Sequence, residues 1–301
     1  MPYTLTDKLV VAITSRALFD LDEAHELFEN KGLEAYKKYQ EEREDIALGP
    51  GTGYALVRAL LEINKQLPEP LIEVVLLSRN DAESGLRIIN SIEQLHLPIS
   101  RMAFTDGTDP YRYLKSFSVN LFLSAHRDDV TEALSSGFAS ALVFPPPATI
   151  EQDTNEVRMA FDGDAVLFSD ESERVYQEEG LAAFQRREHS LQDNPMAPGP
   201  FAALLAAISS IQSLFAEGKC PIRTALVTAR GAPAHKRLIK TWRSWGVTIN
   251  ESFFLGGVSK GDVLIAFKPH IYFDDQAAHL EGSALSTPSA QVVSTNKNEP
   301  F

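Results

Sequence analysis

Two aspartates flank a glycine in the decapeptide FDGDAVLFSD (161–170), which follows the apolar stretch Val157–Phe161. Aspartate forms strands poorly and is costly to bury, so Asp162 and Asp164 in that place suggest a polar site rather than packing. Alone, such a pair is as well explained by a capped acidic turn. Three further motifs follow in order: Thr228 closing TALVT (224–228), Lys260 in GGVSKGD (256–262), and Asp274-Asp275 closing HIYFDD (270–275). Together these residue types suit phosphoryl transfer. One carboxylate can attack phosphorus, and a second can protonate the leaving oxygen and then activate water. A hydroxyl and an ammonium can hold phosphate oxygens, while a further aspartate can bind Mg²⁺, a hard cation that prefers oxygen ligands. Four aspartates around one anionic group would repel one another, so the pattern calls for a cation.

Each motif also has a plainer reading. Asp274 and Asp275 would serve equally as a helix N-cap pair. Thr228 is a β-branched strand residue, and Lys260 competes with Lys236 and Lys268. Its place between the threonine and Asp-Asp motifs favours Lys260. Arg230, separated from Thr228 by Ala229, either reaches phosphate or makes a surface ion pair. The region Glu171 to Lys219 is too long for a plain strand-to-helix connection and is a candidate cap that excludes water from the site. Phe168, Phe184 and Phe201 suit either stacking on a base or the core. Asn194, before Pro195, suits a base-edge hydrogen bond or a turn.

The elements that must position these residues are written twice. RALFDLDEAHELFENKGLEAY (16–36) reads against AVLFSDESERVYQEEGLAAF (165–184), and GPGTGYALVRALLEI (49–63) against APGPFAALLAAISSI (197–211). IEVVLLSRN (72–80) pairs with IRTALVTAR (222–230), and VNLFLSAHRDD (119–129) with PHIYFDDQAAH (269–279). A repeat at half the chain length implies two copies of one unit. Strands alternating with long helical segments predict parallel, right-handed β-α-β units, in which ligands gather at the carboxyl ends of the strands. At an offset of 149 (168 − 19), Asp162 and Asp164 fall opposite Ile13 and Ser15. At 150 (228 − 78), Lys260 falls opposite Pro110 and Asp274-Asp275 opposite Ser124-Ala125. The first copy therefore reads as a chemically inert twin.

The expected organisation is a degenerate Rossmann-like half over 1–147 and a catalytic half over 148–280, with the cap candidate at 171–219. FPPPATIEQDTNE (144–156) reads as a stiff linker, and the Ser/Thr/Asn-rich stretch 281–301 as a flexible tail. A formal charge of −13 argues against a nucleic-acid partner, which needs a basic footprint. No apolar run is long enough to span a bilayer, and the start of the chain lacks the pattern of a secretory signal. Cys220 is the only cysteine, which excludes an internal disulfide. These features predict a cytoplasmic protein without a membrane partner. Oligomeric state stays open, with a homo-oligomer allowed.

The ordered motifs resemble the haloacid-dehalogenase superfamily of aspartate-nucleophile phosphatases. AFDGDAVLFSDESE (160–173), NPMAPGPFAALLAAI (194–208), RSWGVTINESFFLGG (243–257) and PHIYFDDQAAHLEG (269–282) narrow the likeness to the type I cytosolic 5′-nucleotidases. That resemblance implies two tandem α/β halves and Mg²⁺-dependent hydrolysis of nucleoside 5′-monophosphates, AMP being typical. It implies Asp162 as nucleophile and Asp164 as general acid and then base, with Gly163, Thr228 and Lys260 on the phosphate. It implies Asp162, Asp164 (through its carbonyl) and Asp274 around the metal, with Asp275 in support; Ala229 and Arg230 are further supporting residues of the site. Nucleoside contacts are assigned to Phe168, Phe184 and Asn194. A phosphatase for another small phosphomonoester, or a nucleotide sensor without turnover, remains the alternative.

Overall fold

Segments such as LVVAIT and IEVVLLS have no polar face, as strands covered on both sides must. In the computed structural model, which describes residues 4–147, 155–216 and 218–293, they lie inside a ten-stranded sheet. The first half runs β1 (Leu9–Thr14), α1 (Ser15–Leu18), α2 (Asp22–Glu41), α3 (Tyr54–Ile63), β2 (Ile72–Ser78), α4 (Leu86–Gln94), β3 (Arg101–Phe104), β4 (Leu121–Ser124), α5 (Arg127–Ser135) and β5 (Ser140–Val143). The second runs β6 (Val157–Phe161), α6 (Glu171–Glu179), α7 (Leu181–Ser190), α8 (Ala202–Gln212), β7 (Ile222–Thr228), α9 (His235–Trp245), β8 (Glu251–Phe254), α10 (Gly261–Phe267), β9 (Ile271–Asp274), α11 (Ala277–Ser283) and β10 (Ser289–Gln291).

The strand order is β3-β2-β1-β4-β5-β10-β9-β6-β7-β8. Each set of five is thus connected in the same way, and the two sets meet where β5 and β10 pair antiparallel. Every other pairing is parallel. One core runs under both sets, joining Val11, Ile13 and Leu76 to Met159, Phe161 and Leu226. The opposite face carries a separate cluster in each half, around Phe122 and around Tyr272.

Helix breaks repeat as well. Gly32 interrupts α2 at φ 80°, and Gly180 separates α6 from α7 at φ 79°. A side chain at either position would strain the backbone, because only glycine enters that region freely.

Two expectations are corrected here. The segment after residue 281 is not a tail as far as residue 293: α11 ends at Ser283, and β10 pairs with both β5 and β9 in the middle of the sheet. Ser289 and Ala290 are fully buried there, and Val292 and Val293 nearly so. A three-residue strand buried on both faces shows no alternation, which is why it reads as loop. Residues 294–301, and 148–154 of the expected linker, lie outside the described residues.

The second correction concerns which residues are equivalent. β1 sets Ile13 beside Leu76, and β6 sets Phe161 beside Leu226. Ile13 also lies beside Leu123, and Phe161 beside Phe273. The position of Asp162 is therefore held in the first half by Thr14, at an offset of 148 (162 − 14), and Arg16 follows it by two residues, as Asp164 follows Asp162. The offset returns to 149 at Phe19 and Phe168, which bridge to Pro50 and Pro198. One residue is thus inserted between these points, and sequence pairing alone does not locate it.

Candidate active site

The parallel sheet places the motif residues together because each follows or ends a neighbouring strand. Asp162 follows β6, and its amide donates to the Phe273 carbonyl at 2.8 Å, which sets it beside Asp274 at the end of β9. Thr228 ends the other neighbour, β7. Lys260 precedes α10 and points into the gap: its Nζ donates to Asp162 Oδ1 at 2.8 Å and to Asp274 Oδ2 at 2.7 Å. Lys236 and Lys268 are exposed, so the lysine expected from motif order is the one at the carboxylates.

Asp274 is the most heavily partnered of the acidic residues. Tyr272, on the same strand face two residues earlier, donates its hydroxyl to Oδ2. The Gln276 amide donates to Oδ1 at 2.9 Å, and His279 Nδ1 lies 3.2 Å from Oδ2. Burial alone would raise its pKa, but the bonds from His279, Lys260 and Tyr272 outweigh that and hold it at about 2. Asp162 is pushed the other way, up to about 7, by burial against the opposing pull of Lys260. Burial, followed by the charges of Asp162 and Asp274, raises Asp275 to about 8. Lys260 feels the reverse balance: burial disfavours its ammonium, but the two aspartates keep its pKa above the ordinary lysine value.

Three carboxylates share one ammonium, which is an incomplete charge balance in a water-poor site. Oxygen atoms of Asp162, Asp274 and Asp275 lie within 4.8 Å of one another. Asp275 Oδ1 is buried and has no hydrogen-bond partner among the described residues. An all-carboxylate donor set with an unsatisfied oxygen fits a hard divalent cation. Asp275, assigned a supporting role from sequence, thus joins Asp162 and Asp274 as a direct ligand candidate.

The Asp164 side chain takes no part in that cluster. Arg230 grips both its oxygens, with Nε donating to Oδ2 at 2.7 Å and Nη2 to Oδ1. The third nitrogen, Nη1, donates to Glu188 of α7 at 2.9 Å. Glu188 is fully buried and also accepts from Arg237 at 2.9 Å and Ser172 at 2.7 Å, while Arg237 reaches Glu171 of α6. Arg230 is therefore neither free for phosphate nor part of a surface pair: it is 6% exposed and ties Asp164 to α7. Glu188 and Arg237 were not expected from sequence, since isolated charges in amphipathic helices read as solvated faces.

Thr228 is buried, and its Oγ1 accepts from the Arg230 amide at 3.2 Å. It also lies close to Gly163, where an added Cβ would stand 3.4 Å from that hydroxyl. Ala229 offers its carbonyl to the Gly257 amide. Of the aromatic residues weighed for the base, Phe168 is fully buried with its ring 5.4 Å from Trp245, and Phe201 packs on Phe161 and Phe273. Neither has a face to offer a ligand, so Phe168 is a core residue. Phe184 lies under the Arg230 guanidinium, whose carbon is 5.1 Å from the ring centre. Asn194 is exposed at a turn and gives its carbonyl to Arg237 Nε at 2.9 Å.

The chain is 39% identical over 286 residues to human cytosolic 5′-nucleotidase 1B, which covers 91% of this chain and 47% of that protein. The chain thus spans about half the length of the curated relative it matches. No solved structure matches it. The profile that describes 5′-nucleotidases matches residues 1–299, and on that extent the chain belongs to the 5′-nucleotidase family.

Proposed function

We propose that the chain hydrolyses nucleoside 5′-monophosphates, AMP foremost, to nucleoside and phosphate in the cytosol, with Mg²⁺ as cofactor. The observation that carries this reading is the Asp162–Lys260–Asp274 arrangement beside the unsatisfied Asp275 oxygen. Two haloacid-dehalogenase-like halves are assigned, of which the second is catalytic and the first inert. The repeated strand order supports the two halves, and Thr14, Ser124 and Ala125 in place of the acidic residues support the inertness.

Asp162, Asp274 and Asp275, with the Asp164 carbonyl, would hold the cation. It would offset carboxylate charge and draw the phosphate into the site. An Asp162 oxygen attacks phosphorus and the bond to the ribose 5′ oxygen breaks, leaving an aspartyl-phosphate. Asp164 gives its proton to the departing alkoxide and then takes one from water, whose oxygen attacks phosphorus and frees Asp162. Lys260 and Thr228 stabilise the charge on the phosphoryl oxygens. A proton on Asp164 competes with the Arg230 fork for the same lone pairs, so Arg230 must release at least one oxygen during turnover. The helices α6 and α7 act as the cap, coupled to Asp164 through Glu188 and Arg230.

The test is phosphate release from a panel of nucleoside monophosphates and sugar phosphates by the parent chain and Asp162→Asn. The variant is nearly isosteric and is expected to lose at least about a thousandfold in rate. Full activity in the variant would remove Asp162 as nucleophile. Equal turnover of sugar phosphates would replace the nucleotidase reading by a broader phosphatase.

A further inference from the structure

A cavity of about 450 Å³ opens at the carboxyl ends of β1, β2 and β4, in the half that lacks the acidic motifs. Its size suits a small-molecule ligand. Phe28, Leu33 and Tyr36 of α2 form one wall, with Phe28 44% and Leu33 49% exposed although both are large and apolar. Phe28 stacks on His25 with ring centres 6.5 Å apart and meets Tyr36 edge-on at 6.1 Å. Such a wall offers a flat apolar face to a ring.

The floor is polar and unsatisfied. Thr14 is 8% exposed, and its Oγ1 has no hydrogen-bond partner among the described residues. Arg16 donates through Nη2 to Asp22 at 3.2 Å, but its buried Nε has no acceptor. Thr14 occupies the position of Asp162, and Arg16 lies two residues beyond it, as Asp164 lies beyond Asp162. Where the second half has a nucleophile and an acid, the first has a hydroxyl and a guanidinium. Ser124 replaces the Asp274 carboxylate, and Ser78, bonded to Ser15 at 3.2 Å, keeps the hydroxyl of Thr228. Two carboxylates at this cavity are already matched, Asp81 by Lys37 at 2.6 Å and Asp129 by Arg79. The third, Asp106, is exposed.

Buried donors without acceptors are costly, and a phosphate supplies acceptors to hydroxyls and guanidinium alike. With no carboxylate at the positions of Asp162, Asp274 and Asp275, the pocket has neither nucleophile nor metal ligands there. We propose that the first half binds a second small phosphate monoester carrying a planar ring, of the nucleoside monophosphate class, without metal and without cleaving it. The ring lies against Phe28, and the phosphate meets Thr14, Arg16 and the hydroxyls of Ser15 and Ser124.

Equilibrium dialysis of the full chain in EDTA tests this without any reliance on turnover. Stripped of its cation, the carboxylate-rich second centre repels phosphate, so saturable AMP binding reports the first half. Binding of one AMP per chain is expected, weakened at least about tenfold by Arg16→Ala and by Phe28→Ala, with adenosine and inorganic phosphate each weaker than AMP by a similar factor. Phe28 is exposed and Arg16 half-buried, and an unchanged melting temperature shows that the fold is kept. No saturable binding by about 10 mM AMP overturns the proposal, as does binding that both variants retain in full. Equal binding of adenosine and AMP overturns the assignment of the floor to phosphate.

Discussion

Lys260 places one ammonium between two carboxylates, 2.8 Å from Asp162 and 2.7 Å from Asp274, at the junction of two parallel strands. The two partners are not equivalent. Asp274 also accepts from Tyr272 and the Gln276 amide, so its charge is well compensated, whereas Asp162 leans on Lys260 among buried acids. A poorly compensated carboxylate is the more nucleophilic one, which agrees with the roles proposed for the pair.

Replacing that ammonium should therefore fall on both rate and stability. Lys260→Met is expected to lower phosphate release at least about a hundredfold, the scale of removing a single transition-state donor. Lys260→Arg should not restore it, because a planar fork does not fit where a compact ammonium bridges two acids. A Lys260→Met enzyme within about threefold of the parent would show that Lys260 only neutralises buried charge.

Asp275 decides whether the cation site has the composition assigned to it. Chelation should stop turnover, and Mg²⁺ at about a hundred times its dissociation constant should add about 2.7 kcal/mol of stability to the parent. In Asp275→Asn the Mg²⁺ concentration for half-maximal activity and for half of the thermal shift should both rise about tenfold or more. An unchanged Mg²⁺ titration would remove Asp275 from the proposed ligand set.

The same residue gives a pH signature in the absence of metal. Its pKa rises from an ordinary value near 4 to about 8 on folding. The native chain then holds this proton where the unfolded chain has lost it, so its contribution is present below about pH 4 and is lost as pH rises towards 8. Asp275→Asn removes that titration. In EDTA the melting temperature of the variant relative to the parent should climb between pH 4 and 8, and a flat difference would contradict the buried, unpaired state of Asp275.

Glu188 binds two buried guanidiniums, those of Arg230 and Arg237. Glu188→Ala leaves both uncompensated and should cost about 3 kcal/mol or more, read as a drop in melting temperature. It should also free Asp164 from α7 and shift the pH profile of turnover, an effect that a purely structural ion pair would not produce. Glu188→Gln keeps the shape and one acceptor oxygen, which can still serve Arg237 and Ser172, and should recover part of the stability.

Much of the candidate site was legible in the chain itself. The order of Asp162-Gly163-Asp164, Thr228, Lys260 and Asp274-Asp275 pointed to one pocket, since α/β units bring strand ends together whatever lies between them. The internal repeat likewise anticipated two sets of β-α units, because strand runs such as 72–78 and 222–228 carry their apolar character locally. Other features were decided by contacts distant in sequence. β10 became a central strand through its partners β5 and β9, not through any pattern of its own three residues. Phe168 went to the core because Trp245 covers it, and Arg230 turned from phosphate to Asp164 because Glu188 waits on α7. The register of β1 exchanged Ile13 for Thr14 as the counterpart of Asp162. Residue types and their order are properties of the chain, but register, burial and the partner of each charge arise only when strands far apart in sequence lie side by side.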